Sequence, residues 1–310
     1  MAMWFESSFL SEADGLEISV LALIPTEKPY QGIVQLVHGM CEYKERYLPF
    51  MEYLAEQGFI SVIHDQRGHG KSVRSKQDYG YFYGGGAQAV LADIRTVNRE
   101  VKTRFPGLPL ILFGHSMGSL AVRAFARKYD EEIDMLIVCG SPSDNPAKAL
   151  GTAIARLEGC LRGLEHKSKL LTVMSFASYE AKFKDEHLLN AWISSDPSIV
   201  RAYNESELCG FPFTDDGFLV LFELMKEAYD AKHYQCTDPM LPVLFISGGD
   251  DPCMGDIRQF AKAVQNLREA GYRDVKGKVY PGMRHEILNE REHEKVFRNV
   301  VWYINKKLNL

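Results

Sequence analysis

The stretch Leu108–Tyr129, LPLILFGHSMGSLAVRAFARKY, carries the reading of this chain. Leu110–Gly114 is a short apolar run of the kind that forms a buried strand. Ser116–Tyr129 has helical spacing. Between them lies Gly114-His115-Ser116-Met117-Gly118, a G-x-S-x-G pattern at a strand-to-helix turn. A tight, strained turn of this kind pushes the serine hydroxyl out, and flanking glycines let neighbouring backbone approach without a Cβ clash. The helix N-terminus then faces the point where negative charge develops during attack on a carbonyl. Ser116 is therefore the candidate nucleophile. The bland alternative is an ordinary glycine-rich turn, which the strand before and the helix after argue against.

Outward from this point, strands and helices alternate. Phe5–Phe9 and Ile18–Ile24 read as strands separated by the turn Asp14-Gly15. Gly32–His38, Phe59–His64 and Met135–Cys139 read as buried strands, and Glu45–Gln57 and Ala87–Thr103 as helices. Such alternation predicts a mainly parallel sheet flanked by helices. It stops near Ser141 and resumes with the strand Leu241–Ser247, a helix at Ile257–Ala270, a strand at Gly277–Tyr280 and a last helix at Arg291–Lys307. The segment between is helical and looped. One apolar stripe there is Ala149, Leu150, Ala153, Ile154, Leu157 and Leu161; another is Phe218, Leu219, Phe222, Met225 and Tyr229. We expect a core of residues 1–144 and 239–310, with 145–238 as an inserted helical cap over the strand ends where ligands of such sheets bind.

A serine hydroxyl needs a base, and the base an orienting acid, in chain order Ser, acid, His. Of nine histidines, four precede Ser116 (His38, His64, His69 and His115). Three, His166, His187 and His233, fall in the expected cap, and His293 falls on the last helix. His285 lies in a loop just after the last strand and is the candidate base. For the acid, LPVLFISGGDDPCMG places Asp250 and Asp251 just past a strand. One should orient the imidazole; the other would be a turn or cap residue. After GIVQLVH, Gly39 allows a bend that turns backbone amides towards the nucleophile. The expected oxyanion donors are the amides of Met40 and Met117.

The formal charge of −5 over 310 residues argues against a nucleic-acid partner. Lys167/Lys169 and Lys182/Lys184 read as solvated faces. The six cysteines, at 41, 139, 160, 209, 236 and 253, form no CxxC pair. No secretory pattern opens the sequence, and no apolar run reaches the ~18 residues of a membrane span. These features predict a reduced, cytoplasmic protein without an integral membrane segment.

HGMCEYKERY, HDQRGHGKS, GHSMG, ISGGDDPCMG and YPGMRHEILNE together resemble the monoacylglycerol lipase and lysophospholipase group of α/β hydrolases. The likeness spans nearly the whole chain, including ELCGFPFTDDGF in the cap, and is looser there. It implies the α/β-hydrolase fold, ester hydrolysis through an acyl-Ser116 intermediate and no metal or organic cofactor. In this group the acid precedes the proline of G-x-x-D-P, which selects Asp251. The resemblance also implies loop-shaping roles for His38, Gly39 and the run Asp65–Gly70. Residue type would let His64, Asp65 and His69 hold a metal, but three ligands need converging geometry that the turn does not guarantee. Cys253 departs from the group, where many members carry an apolar residue. With Cys41 it could bring two thiols to the pocket, although small buried thiols are the simpler reading. Phe176, Tyr179, Phe183, Trp192, Phe211 and Phe213 suit an acyl chain, but most are expected to serve cap packing. A lipid or small-molecule ester is the implied substrate. The competing enzyme class is a peptidase of the proline-iminopeptidase type, needing a carboxylate cluster in the cap; Glu180, Glu205 and Glu207 are candidates.

Overall fold

The computed structural model describes residues 2–310. Eight strands form one sheet: β1 (Ala2–Leu10), β2 (Glu17–Pro25), β3 (Gly32–Val37), β4 (Phe59–His64), β5 (Leu110–His115), β6 (Met135–Cys139), β7 (Val243–Gly248) and β8 (Val275–Tyr280). Their spatial order is β1-β2-β4-β3-β5-β6-β7-β8. β1 and β2 are antiparallel to their neighbours, and every pairing from β4 to β8 is parallel. The helices are α1 (Leu48–Glu56), α2 (Gly86–Arg104), α3 (Met117–Tyr129), α4 (Lys148–Arg162), α5 (Lys169–Lys182), α6 (Pro197–Glu205), α7 (Asp215–Tyr229), α8 (Ile257–Glu269) and α9 (His293–Leu308). Parallel strands with helices on both faces bury both sides, and β3 to β7 accordingly read as near-continuous apolar runs, all buried.

Two apolar layers sandwich the sheet. One is built on α2, α3 and α8 with residues such as Ile94, Leu120, Phe125 and Leu267. The other is built on α1 and α9 with Phe50, Leu54, Phe297 and Ile304. The predicted helix over 45–57 splits into a 3-10 turn at Lys44–Tyr47 and α1, which starts at Leu48. Pro49 accounts for the restart, because proline is favoured in a first helical turn.

Between β6 and β7 the described residues form helices and loops, joined by one isolated bridge, Lys167 to Thr214. α7 packs against α2 and α3 of the core as well as α4. Most of the first apolar stripe of this region faces outward, with Ile154 half-buried against the core. α4 buries Gly151, Ala155 and Gly159, while Leu150, Leu157 and Leu161 are exposed. Small residues at i, i+4 and i+8 let α4 lie close on α7: a Cβ on Gly151 would meet the Phe222 ring at 2.6 Å.

Candidate active site

The parallel strands all end on one side, and the candidate residues leave from those ends. Ser116 follows β5 and has φ 53° and ψ −121°, a conformation strained for a non-glycine residue. Its amide donates to Cys139 O on β6 at 2.9 Å, which anchors the turn. The glycines around it are dictated by contact. A Cβ on Gly118 would lie 2.2 Å from Val37 O, and one on Gly114 would lie 2.3 Å from Gly118 O.

His285 leaves the loop after β8, and its Nδ1 lies 3.0 Å from both carboxylate oxygens of Asp251. Asp251 is fully buried and also accepts from Ser247 Oγ at 3.1 Å and the Cys253 amide at 2.8 Å. Asp250 is exposed, and Lys182 Nζ donates to its backbone carbonyl. The imidazole packs on Trp192, centroids 5.2 Å apart. The His285 amide donates to Trp192 O, and the Glu286 amide to Ile193 O at 2.7 Å. Ser116 and His285 line the same cavity but share no hydrogen bond; such contacts commonly tighten only around a bound substrate.

The bend after β3 brings Gly39 against Ser116: a Cβ there would sit 3.0 Å from Ser116 Cβ and 2.7 Å from Glu42 Oε1. The Gln66 amide donates to His38 Nε2 at 2.9 Å, so the His38 proton is on Nδ1, which donates to Gly39 O at 2.8 Å. Burial keeps this imidazole neutral by lowering its pKa. Holding the Gly39 carbonyl fixes the whole Gly39–Met40 peptide plane, and with it the direction of the Met40 N–H. The Met117 amide is the first of α3, where the helix supplies no acceptor. Met40, Met117 and Ser116 all line the cavity.

That cavity measures about 440 Å³. Phe176, Tyr179, Trp192, Phe211 and Phe213 line it, whereas Phe183 instead lies under the Arg284 guanidinium at 4.1 Å. Most of the six aromatics thus form cavity wall as well as packing. Cys41 and Cys253 also line it, and burial raises both thiols well above their usual range, which keeps them protonated. His69 has both ring nitrogens engaged, by the Cys41 amide and Arg67 O, and Asp65 accepts from Lys44 and the Lys71 amide. Neither side chain is free to take a metal. Of the cap carboxylates, only Glu180 lines the cavity, and it accepts from Trp192 Nε1 and the Asn190 amide. Glu207 pairs at the surface with Lys76, and Glu205 is exposed.

Sequence reasoning overlooked a buried charge cluster behind the site: Glu42, Arg46, His115 and Glu286. Glu42 and Arg46, four residues apart in HGMCEYKERY, were its only local signal.

Residues 28–292 match the family described as serine aminopeptidase, S33. The chain is similar to a monoacylglycerol lipase of Mycolicibacterium smegmatis, 25% identical over 277 residues and covering 88% of each chain. It is similar to a monoglyceride lipase of Saccharomyces cerevisiae, 26% identical over 295 residues, covering 87% of this chain and 82% of the other. A thermostable carboxyl esterase from Bacillus coagulans, solved in complex with glycerol, superposes with a TM-score of 0.87 at 28% identity, covering 99% of both chains.

Proposed function

Because the chain belongs to the serine aminopeptidase S33 family and is a carboxylic ester hydrolase on the α/β-hydrolase fold, we propose that Ser116, His285 and Asp251 are its catalytic triad and that it cleaves monoacyl lipids such as monoacylglycerols and lysophospholipids. One observation carries the reading: a strained Ser116 opens into an apolar cavity that also exposes a His285 held by buried Asp251. Ser116 Oγ attacks the ester carbonyl while His285 Nε2 takes its proton. Asp251, bound to Nδ1, fixes the tautomer and stabilises the imidazolium. The Met40 and Met117 amides hold the oxyanion. His285 then protonates the leaving alkoxide, and water releases the acyl group by the same steps. No metal or organic cofactor is invoked.

Residues 145–238 act as the cap. The cavity volume lies within the range of small-ligand sites, and its aromatic wall suits an acyl chain. Leu157, Leu161, Leu170 and Val173 stand exposed on α4 and α5, an apolar face suited to a lipid aggregate. No helix among the described residues is long and apolar enough to cross a membrane. All six cysteines are free, in keeping with a reducing, cytoplasmic setting. The peptidase reading is not favoured, since of the cap carboxylates Glu180, Glu205 and Glu207 the cavity takes in Glu180 alone, and its oxygens are engaged by Trp192 and Asn190. The test is a panel of p-nitrophenyl esters of rising chain length set against aminoacyl-nitroanilides. Turnover should rise with chain length beyond acetate, and the anilides should be inert. Faster cleavage of the anilides would reverse the assignment.

A further inference from the structure

The loop carrying the oxyanion amide and the loop carrying the base come from opposite ends of the chain. Between them lies a side chain that neither reaction step uses. Arg46 Nη1 and Nη2 donate to Glu286 Oε1 and Oε2, both at 2.6 Å, and Nη1 also donates to Glu42 Oε2 at 2.9 Å. The three side chains are 10%, 5% and 3% exposed, so these are charges withdrawn from water. Tyr203 of α6 covers the guanidinium at 5.1 Å.

Each carboxylate acts one step from the chemistry. Glu42 Oε1 accepts from the Gly39 amide at 2.5 Å and from Tyr47 OH at 3.0 Å. Gly39 begins the peptide whose N–H belongs to Met40. Glu286 follows His285 directly. A third tie runs through His115, whose Nδ1 lies 3.2 Å from Glu42 Oε1 and whose Nε2 lies 3.3 Å from His285 O. Both facing atoms are acceptors, so the two contacts together favour the doubly protonated ring. Burial alone would lower its pKa, but the Glu42 hydrogen bond and charge outweigh it and raise it. Glu42 thus faces the Arg46 guanidinium on one side and the His115 ring on the other, and Glu286 pairs with the same guanidinium.

We infer that Arg46 is a positioning residue: its guanidinium fork, through Glu42 and Glu286, sets the oxyanion loop and the His285 loop at a fixed separation across Ser116. Only a planar fork can hold both carboxylates in this way; a lysine is a single point of charge. The inference rests on the triad reading above. An inactive wild type would sink that reading, whereas an active wild type with unaffected Arg46, Glu42 and Glu286 variants would sink only this one.

The test uses the full chain, a medium-chain p-nitrophenyl ester and thermal melts to establish folding. Arg46→Lys should lower kcat roughly 10- to 100-fold with KM within about threefold, because misplacement of catalytic loops is felt in the transition state more than in substrate binding. Should Arg46→Lys fail to fold, the milder pair Glu42→Gln and Glu286→Gln decides. Each should lower kcat, and the double variant should be no worse than about the worse single, since both losses break one clamp. Wild-type kcat in these folded variants, losses confined to KM, or single losses that multiply in the double would overturn the inference.

Discussion

Ser116 sits in a backbone conformation that non-glycine residues avoid, and its neighbours are chosen to hold it there. Val37 O and His38 O approach where any side chain on Gly118 would lie, so the strain is maintained by packing around the turn. In the proposed triad the three side chains act as one unit, so their losses should not add. Ser116→Ala and His285→Ala should each lower kcat for a p-nitrophenyl ester by several orders of magnitude. Asp251→Asn should cost roughly 10⁴-fold, because the amide stabilises the wrong imidazole tautomer. Burst kinetics and fluorophosphonate labelling on folded protein check this. A Ser116→Ala variant retaining a tenth of wild-type turnover would remove Ser116 from the mechanism. In sequence, the residues alone left Asp250 and Asp251 open, and the family resemblance chose Asp251. Ser116 and His285 were legible in sequence because each sits in a local signature: a serine between glycines, a histidine after a last strand. Glu42, Arg46 and Glu286 were not, because their partnership spans 240 residues and has no periodicity to betray it.

At the scale of elements, apolar periodicity located nearly every strand and helix, because parallel strands need uninterrupted apolar runs. On α4 the apolar stripe located the helix but does not mark its packed face. The contact surface is instead Gly151, Ala155 and Gly159, and the leucines face outward. Close helix approach rewards small residues, which hydrophobic pattern does not register. The aromatic residues between β6 and β7 were visible in sequence but not their partition, since which ring faces a cavity depends on the fold. The α4–α7 contact yields a prediction about selectivity. Phe222 lines the cavity and blocks any side chain at Gly151, the contact distance being 2.6 Å. Gly151→Ala must move either the ring or α4. Long-chain esters should therefore lose kcat/KM by about tenfold relative to p-nitrophenyl acetate, the cost of about one displaced methylene or two in an apolar pocket. An equal loss on both esters would place Phe222 outside the acyl path.

The whole molecule stores several histidines in its interior, and each contributes to its response to acid. His64 lies at the end of β4, 1% exposed, with no hydrogen-bond partner for either ring nitrogen. Burial lowers its pKa to about 3, with His38 adding a smaller effect in the same direction. His69, fully buried, is likewise lowered to about 3, first by burial. An unfolded histidine titrates near 6.5. Between pH 6.5 and about 3, the unfolded chain therefore binds protons at these positions that the native chain does not. The contribution of these two groups to stability therefore rises with pH in this window and falls on acidification. His115 runs the other way: its raised pKa contributes stability that is fully present below 6.5 and is lost as pH climbs through the folded value. His64 is the cleanest place to test this balance, because replacing it breaks no hydrogen bond. His64→Leu should flatten the fall of unfolding free energy below pH 6.5 by about one proton, or ~1.4 kcal/mol per pH unit. Denaturant titrations at half-unit steps from pH 7 to pH 5 measure that slope. Parallel curves for the variant and wild type would mean that His64 takes up its proton without unfolding, and that the acid sensitivity lies elsewhere in the interior.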